Sequence, residues 1–188
     1  MAEGHIIGWF ARARVPLGFL FAILVLWLAA PTGRSLVIGS VIAVIGEALR
    51  IWAAGHLNKS REVTVSGPYR WFAHPLYVGS AVMGVGLAVA SGSVMVAALV
   101  ATYLAVTIGA AIRSEEAFLR QKFGDRYDRY RRGIDDDRIA VERRRRFSLA
   151  QAIANREYRA MTGVVAAVLL LLLKAAYNGM FLRAGAGL

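Results

Sequence analysis

Two polar stretches hold the residues whose types and spacing could do chemistry. The first runs from His56 to Gly79 and contains Glu62, Val63, Thr64, Tyr69, His74, Pro75, Leu76 and Tyr77. The second runs from Arg113 to Gly133 and begins close to two adjacent carboxylates, Glu115 and Glu116. Histidine and carboxylate side chains can hold or pass a proton near neutral pH. Tyrosine faces and carboxylates both favour cationic ligand groups. Other chemistries are excluded by composition. The chain has no cysteine, so disulfides, thiolate metal sites and cysteine nucleophiles are ruled out. Its three histidines, His5, His56 and His74, lie far apart with no H-x-x-x-H spacing, which argues against a dedicated histidine metal site.

Local signals suggest how each stretch is built. Glu62 to Val65 is short and β-branched, which predicts a brief extended segment. Ser66-Gly67-Pro68 is a turn signal, and Tyr69, Trp71 and Phe72 suit a membrane–water interface. His74-Pro75 then starts a helix, because proline is tolerated in a first turn. The unpaired backbone N–H groups of such a start suit an anionic or polar ligand group. The same features would also serve as a plain interfacial aromatic belt. In the second stretch, Phe118, Leu119 and Phe123 give a helix an apolar side and Gly124 reads as its C-cap. Tyr127 and Tyr130 follow at i,i+3 spacing. Taken alone, a Glu-Glu pair among many arginines can do no more than form surface salt bridges.

What positions these stretches is a set of apolar segments. The chain has 188 residues, 57% of them hydrophobic, yet 23 Lys and Arg against 12 Asp and Glu give a net charge of +11. Apolar content and charge must therefore be segregated along the chain. That excludes disorder and points away from an ordinary soluble domain. The expected fold is all-α, an integral membrane bundle of about five helices. The expected spans are Val15–Ala30, Leu36–Gly55, Leu76–Ala90, Val94–Ile112 and Met161–Leu182. The second carries Glu47 and Arg50 one turn apart, a spacing at which they can pair. Only Ser91-Gly92-Ser93 separates the third and fourth, which predicts a helical hairpin. Lys174 in the fifth can snorkel to a headgroup layer. With a cytoplasmic N-terminus, twenty basic residues fall on the cytoplasmic side, and only Arg34 and Arg183 on the other. The positive-inside rule then puts both polar stretches in the cytoplasm. Met1 to Gly8 has neither an n-region nor a small-residue cleavage site, so the first span is expected to be a retained anchor.

In combination and in order, the two blocks are specific. G-P-Y-R-W-F-x-H-P-L-Y-V-G, then a helical hairpin, then E-E-x-x-L-x-x-x-F-G-x-x-Y-x-x-Y, resembles the isoprenylcysteine carboxyl methyltransferase family and the wider group of membrane phospholipid methyltransferases. The resemblance covers roughly Leu49 to Gly133. It implies transfer of a methyl group from S-adenosylmethionine (SAM) to a lipophilic acceptor, in a small cytoplasmic cofactor-binding region without a Rossmann domain. By the same resemblance, Glu62, Val63 and Thr64 would run along the cofactor, partly through backbone groups. Tyr69, His74, Pro75, Leu76 and Tyr77 would line its adenosine and methionine portions. Glu116, with Glu115 as the close alternative, would hold polar cofactor groups from the opposite wall. Glu116 and His74 are the candidate catalytic residues.

The chain departs from the family pattern at Ala73, where an arginine usually precedes the His-Pro, and at Gly109 and Arg113, which replace a substrate-handling Arg–Glu pair. A prenylcysteine carboxylate is thereby disfavoured, leaving a lipid or another hydrophobic small molecule as acceptor. The resemblance suggests three parts: residues 1–55 as the first two spans, 56–133 as the catalytic core, and 134–188 as a basic segment plus the last helix. Phe147 to Tyr158 would form an amphipathic surface helix, with the Arg143–Arg146 cluster near anionic headgroups. The expected location is the inner (cytoplasmic) membrane, with membrane lipids as partners and no nucleic acid. Two alternatives stand beside this reading: an NADPH-dependent membrane reductase of the sterol-reductase type, and a non-catalytic lipid-binding protein of the same fold.

Overall fold

The computed structural model describes residues 18–58, 63–132 and 146–179. Among these residues the regular structure is helical and contains no strand. Apolar α1 (Gly18–Leu28) is followed by α2 (Gly33–His56), a single 3-10 turn (Gly67–Arg70) and α3 (Pro75–Ala90). Then come α4 (Val94–Phe123), α5 (Asp125–Arg131), α6 (Leu149–Ala154) and α7 (Tyr158–Tyr177). Three of these, α2, α4 and α7, are long and apolar enough to cross a membrane, whereas α1 and α3 are shorter apolar helices. The chain is thus a helical membrane bundle. Val63 to Val65, expected to be extended, form no strand. The last helix begins three residues before the expected Met161 and ends at Tyr177, where Asn178 and a left-handed Gly179 stop it. Residues 180–182, also expected to belong to it, lie outside the described residues. The expected surface helix over Phe147–Tyr158 is only the short α6, broken from α7 at Asn155–Glu157.

Helices α2 and α3 form the centre of the bundle because glycines let their backbones meet. A Cβ on Gly39 would lie 2.2 Å from the Ala90 nitrogen, and one on Gly86 2.3 Å from the Ala43 nitrogen. One on Gly46 would lie 2.4 Å from the Met83 nitrogen. Close approach of small residues is how helices associate where no water drives them together. At one end of the pair, Thr32 and Ser35 form a reciprocal capping box, with Ser35 N–H donating to Thr32 Oγ1 at 3.1 Å and Thr32 N–H to Ser35 Oγ at 2.9 Å. Ala30 N–H donates to the Ser91 carbonyl at 2.8 Å, tying the α1–α2 connection to the α3–α4 turn. Ala29, Leu36, Ala90, Leu171 and Ala175 close an apolar cluster at this end. Lys174 does not simply snorkel; its Nζ donates to the Trp27 carbonyl at 3.1 Å and so caps α1.

The other end holds the polar groups, and helix length explains why. Helix α2 has 24 residues and α3 only 16, about 36 and 24 Å of helix respectively. With the first turn of α3, at Leu76, beside Arg50, the last turns of α2 extend past it. The loop from Val63 to Phe72 fills the space so left. On the far side, α4 runs for 30 residues and carries its polar end past α3 as well.

Candidate active site

The loop beside α2 is fixed by a buried histidine that the sequence reading left without a role. His56 ends α2, and its Nδ1 lies 3.0 Å from Ser66 Oγ. Its ring also occupies the space where a Gly67 side chain would sit, with Cδ2 2.4 Å from an added Cβ. Gly67 has a φ of +58°, so both backbone and space demand glycine there. Asn58 N–H donates to Thr64 Oγ1 at 3.3 Å. Val63 and Val65 pack with Tyr127 of α5, and with Leu119 and Phe123 of α4, which fastens the loop to the acidic helix. Gly124 caps α4 as expected, its N–H donating to the Arg120 carbonyl at 2.9 Å, and so turns Tyr127 inward.

His74 is the N-cap of α3 and Pro75 its first residue, as the His-Pro signal predicts. The imidazole lies between the two carboxylates of α4. Nδ1 is 3.4 Å from Glu115 Oε2, and Nε2 is 3.3 Å from Glu116 Oε1. Hydrogen bonding to Glu115 raises the His74 pKa above its ordinary 6.5; burial opposes this, and Glu116 adds to the rise. The folded protein therefore holds this proton to higher pH than the unfolded chain does. The resulting stabilisation is complete below about pH 6.5 and is lost as pH rises through the raised folded value. A His74→Phe variant should accordingly fall further below the parent in thermal stability at pH 6 than at pH 9. A gap independent of pH would contradict the ion-paired arrangement.

A cavity of about 580 Å³ opens beside this contact. Its wall includes Val63, Thr64, Tyr69, His74, Leu76, Tyr77 and Glu115 of the expected site residues. Pro75 and Glu116 are not on the wall; Glu116 instead grips His74 and lies 3.9 Å from Arg120. Glu62 lies outside the described residues. The wall also includes Arg50, Leu57, Ala73, Ala111, Ser114, Phe118, Leu119 and Tyr127, none of which the sequence reading placed there. For Arg50 the signal existed, since a charge inside an apolar span is a functional pointer by default. Its expected partner Glu47 is 3.8 Å away, but the close ion pair, 2.6 Å, is with Glu157. Among the described residues, no three His, Cys, Asp or Glu side chains gather in a way that could hold a metal ion.

The volume lies inside the range of about 300–1,000 Å³ common for small-molecule sites. Tyrosine rings and a carboxylate favour cationic ligand groups, the Arg50 guanidinium and the His74 imidazole favour a carboxylate, and hydroxyls and apolar side chains complete a wall that suits a flat ligand carrying both charges. Fold and site thus define an integral membrane protein with a mixed polar and apolar cavity at one end of its helical bundle. The chain belongs to the phospholipid methyltransferase family, which matches residues 31–126. It is 35% identical over 108 residues to the nickel-cobalt-cadmium resistance protein NccN of Alcaligenes xylosoxydans xylosoxydans, covering 56% of this chain and 49% of that one. It is 34% identical over 88 residues to the cobalt-zinc-cadmium resistance protein CzcN of Cupriavidus metallidurans, covering 46% and 39%. Similarity to the protein-S-isoprenylcysteine O-methyltransferase of Schizosaccharomyces pombe is 28% over 95 residues, covering 50% and 40%. The chain thus spans no more than about half the length of these curated relatives. No solved structure matches it.

Proposed function

We propose that the protein is a SAM-dependent integral membrane methyltransferase with a lipophilic acceptor and a cavity facing the cytoplasm at the inner membrane. The observation that carries this reading is the contact of His74 with Glu115 and Glu116 beside a cavity of nucleoside size. When bound, SAM supplies an electrophilic methyl group on a sulfonium. The residues of this chain have positioning work to do, because a thioether leaves without being protonated. Glu115 favours the cationic groups of the ligand from the α4 side. Tyr69 and Tyr77 offer ring faces to the adenine and the sulfonium. Thr64 and Val63 provide polar backbone along one edge. Leu76, Ala111, Phe118 and Leu119 supply apolar wall against which a lipid-like acceptor would lie. An acceptor carboxylate needs no base. An amine must shed a proton, and the Glu115 carboxylate on the wall is a group that can take it.

Titration calorimetry of the full chain in detergent with SAM, S-adenosylhomocysteine and NADPH tests this reading. Binding of both sulfur nucleosides at one site per chain is expected, with none for NADPH. Binding of NADPH alone would support the reductase reading instead. Transfer of a labelled methyl group from SAM into a lipid extract would then identify the acceptor class. A chain that binds SAM yet transfers no label to any lipid fraction would favour the non-catalytic alternative.

A further inference from the structure

The family match ends at residue 126, yet the close ion pair of the cavity-lining Arg50 is made by a residue well beyond it. Arg50 touches two other parts of the bundle. Its Nε is 2.6 Å from Glu157 Oε1, just before α7. Its Nη1 donates to Ser80 Oγ and, at 3.4 Å, to the Leu76 carbonyl, both on α3. Ser80 Oγ in turn donates to the same Leu76 carbonyl at 2.9 Å. The guanidinium thus holds the first turn of α3, the turn that begins at His74-Pro75. Without Glu157, the nearest carboxylate to its Nε would be Glu47 at 3.8 Å, too far for a hydrogen bond, and the guanidinium would be held less firmly.

Glu157 is itself held in place. Ser148 N–H donates to the Gly55 carbonyl at 3.2 Å. Asn155 Nδ2 donates to the Ala54 and Leu57 carbonyls at 2.8 and 2.9 Å, which satisfies the open end of α2. Arg156 has a φ of +62°, a left-handed conformation unfavourable for a side-chain-bearing residue. That turn sets Glu157 as the N-cap of α7, where it is buried against Arg50. A passive membrane anchor would need none of these contacts.

We propose that Glu157 is a positioning residue of the cofactor pocket, acting through Arg50 on the first turn of α3. The segment from Ser148 to α7 is then part of the active unit. The inference rests on the cofactor reading above only for its consequence, not for its geometry. Two readouts on the full chain therefore test it. In a Glu157→Gln variant, side-chain shape is kept and the charge on Arg50's partner is lost. SAM affinity should fall about tenfold with little change in melting temperature. The His74 titration, followed by NMR in the ligand-free protein, should shift toward the ordinary histidine value as the α3 turn loosens from Glu115 and Glu116. Lys174→Gln, on the same helix but capping α1 at the far end, should lower the melting temperature and leave both readouts unchanged. An Arg50→Glu, Glu157→Arg exchange would restore the ion pair but not the α3 contacts, and should bind no better than Glu157→Gln. An unchanged His74 titration in Glu157→Gln would overturn the proposal. A shifted titration in a chain whose parent binds no SAM would uphold the positioning link and reject the cofactor reading instead.

Discussion

Replacing both glutamates of α4, as Glu115→Gln with Glu116→Gln, is expected to lower SAM affinity on the order of a hundredfold and leave the protein folded. Glu115 would lose its hydrogen bond to the ligand and Glu116 its hold on His74; each lost charge-assisted hydrogen bond is worth about 1.5–3 kcal/mol, and tenfold in affinity is about 1.4 kcal/mol. Glu115 is partly exposed, with a side-chain exposure of 39%, so its share falls at the low end. Folding should survive because these carboxylates meet His74 and Arg120, not the apolar clusters that join the loop to α4. The double variant has a second signature. With both carboxylates neutral, only burial still acts strongly on His74, and burial lowers its pKa. The titration should therefore move from above 6.5 to below it. NMR of histidine-labelled protein reads this directly. A His74 that still titrates above 6.5 would mean that some other group holds its proton.

A large effect on folding is expected at Gly86. A Cβ there would lie 2.3 Å from the Ala43 nitrogen and 2.7 Å from the Gly39 carbonyl oxygen. Both are backbone atoms of α2, and neither can rotate aside. A Gly86→Val substitution must therefore push α2 and α3 apart along their closest line of contact. Overpacking of this kind costs about 1–3 kcal/mol where side chains can adjust, and more where only backbone can. Because α3 carries His74 and α2 carries Arg50, the cavity should be lost with the packing. Gly109 is the control, since nothing lies within 4 Å of an added Cβ. Gly109→Ala should fold normally and gain slightly from helix propensity. The comparison is the yield of monodisperse protein in detergent and the melting temperature of what remains. Normal folding of Gly86→Val would show that the two helices pack less closely than described here.

Much of this arrangement is legible along the chain because its signals are local. Turn, helix start and helix stop are each written in one or two residues: Gly67-Pro68, His74-Pro75, Gly124. The hairpin between α3 and α4 follows from a three-residue connection. Apolar length finds the spanning helices but not their limits, since Tyr158 and Tyr177 end α7 where local turns form, not where hydropathy changes. The meeting of the two blocks depends on family likeness, because His74 and Glu116 are 42 residues apart.

Other features depend on packing and have no local signal. Successive helix residues differ by about 100° in direction, so Glu115 and Glu116 cannot take the same role. Sequence alone does not say which one faces the cavity; Glu115 is on its wall and Glu116 grips His74. Glu47 seemed the natural partner of Arg50 because it is one turn away. A carboxylate 107 residues later makes the closer bond, and only the folded chain brings it there. The cavity itself arises from the difference in length between α2 and α3. That difference becomes apparent once Gly46 and Gly79 set the register of the pair.

The proposed function requires one sulfonium nucleoside to sit between the His-Pro loop and the acidic end of α4. Photo-cross-linking of labelled SAM to the full chain, followed by peptide mapping, tests it most directly. Label is expected on peptides from both walls, Tyr69–Tyr77 and Glu115–Tyr127, competed away by S-adenosylhomocysteine. Label confined to α7, or to the apolar turn between α3 and α4, would contradict it.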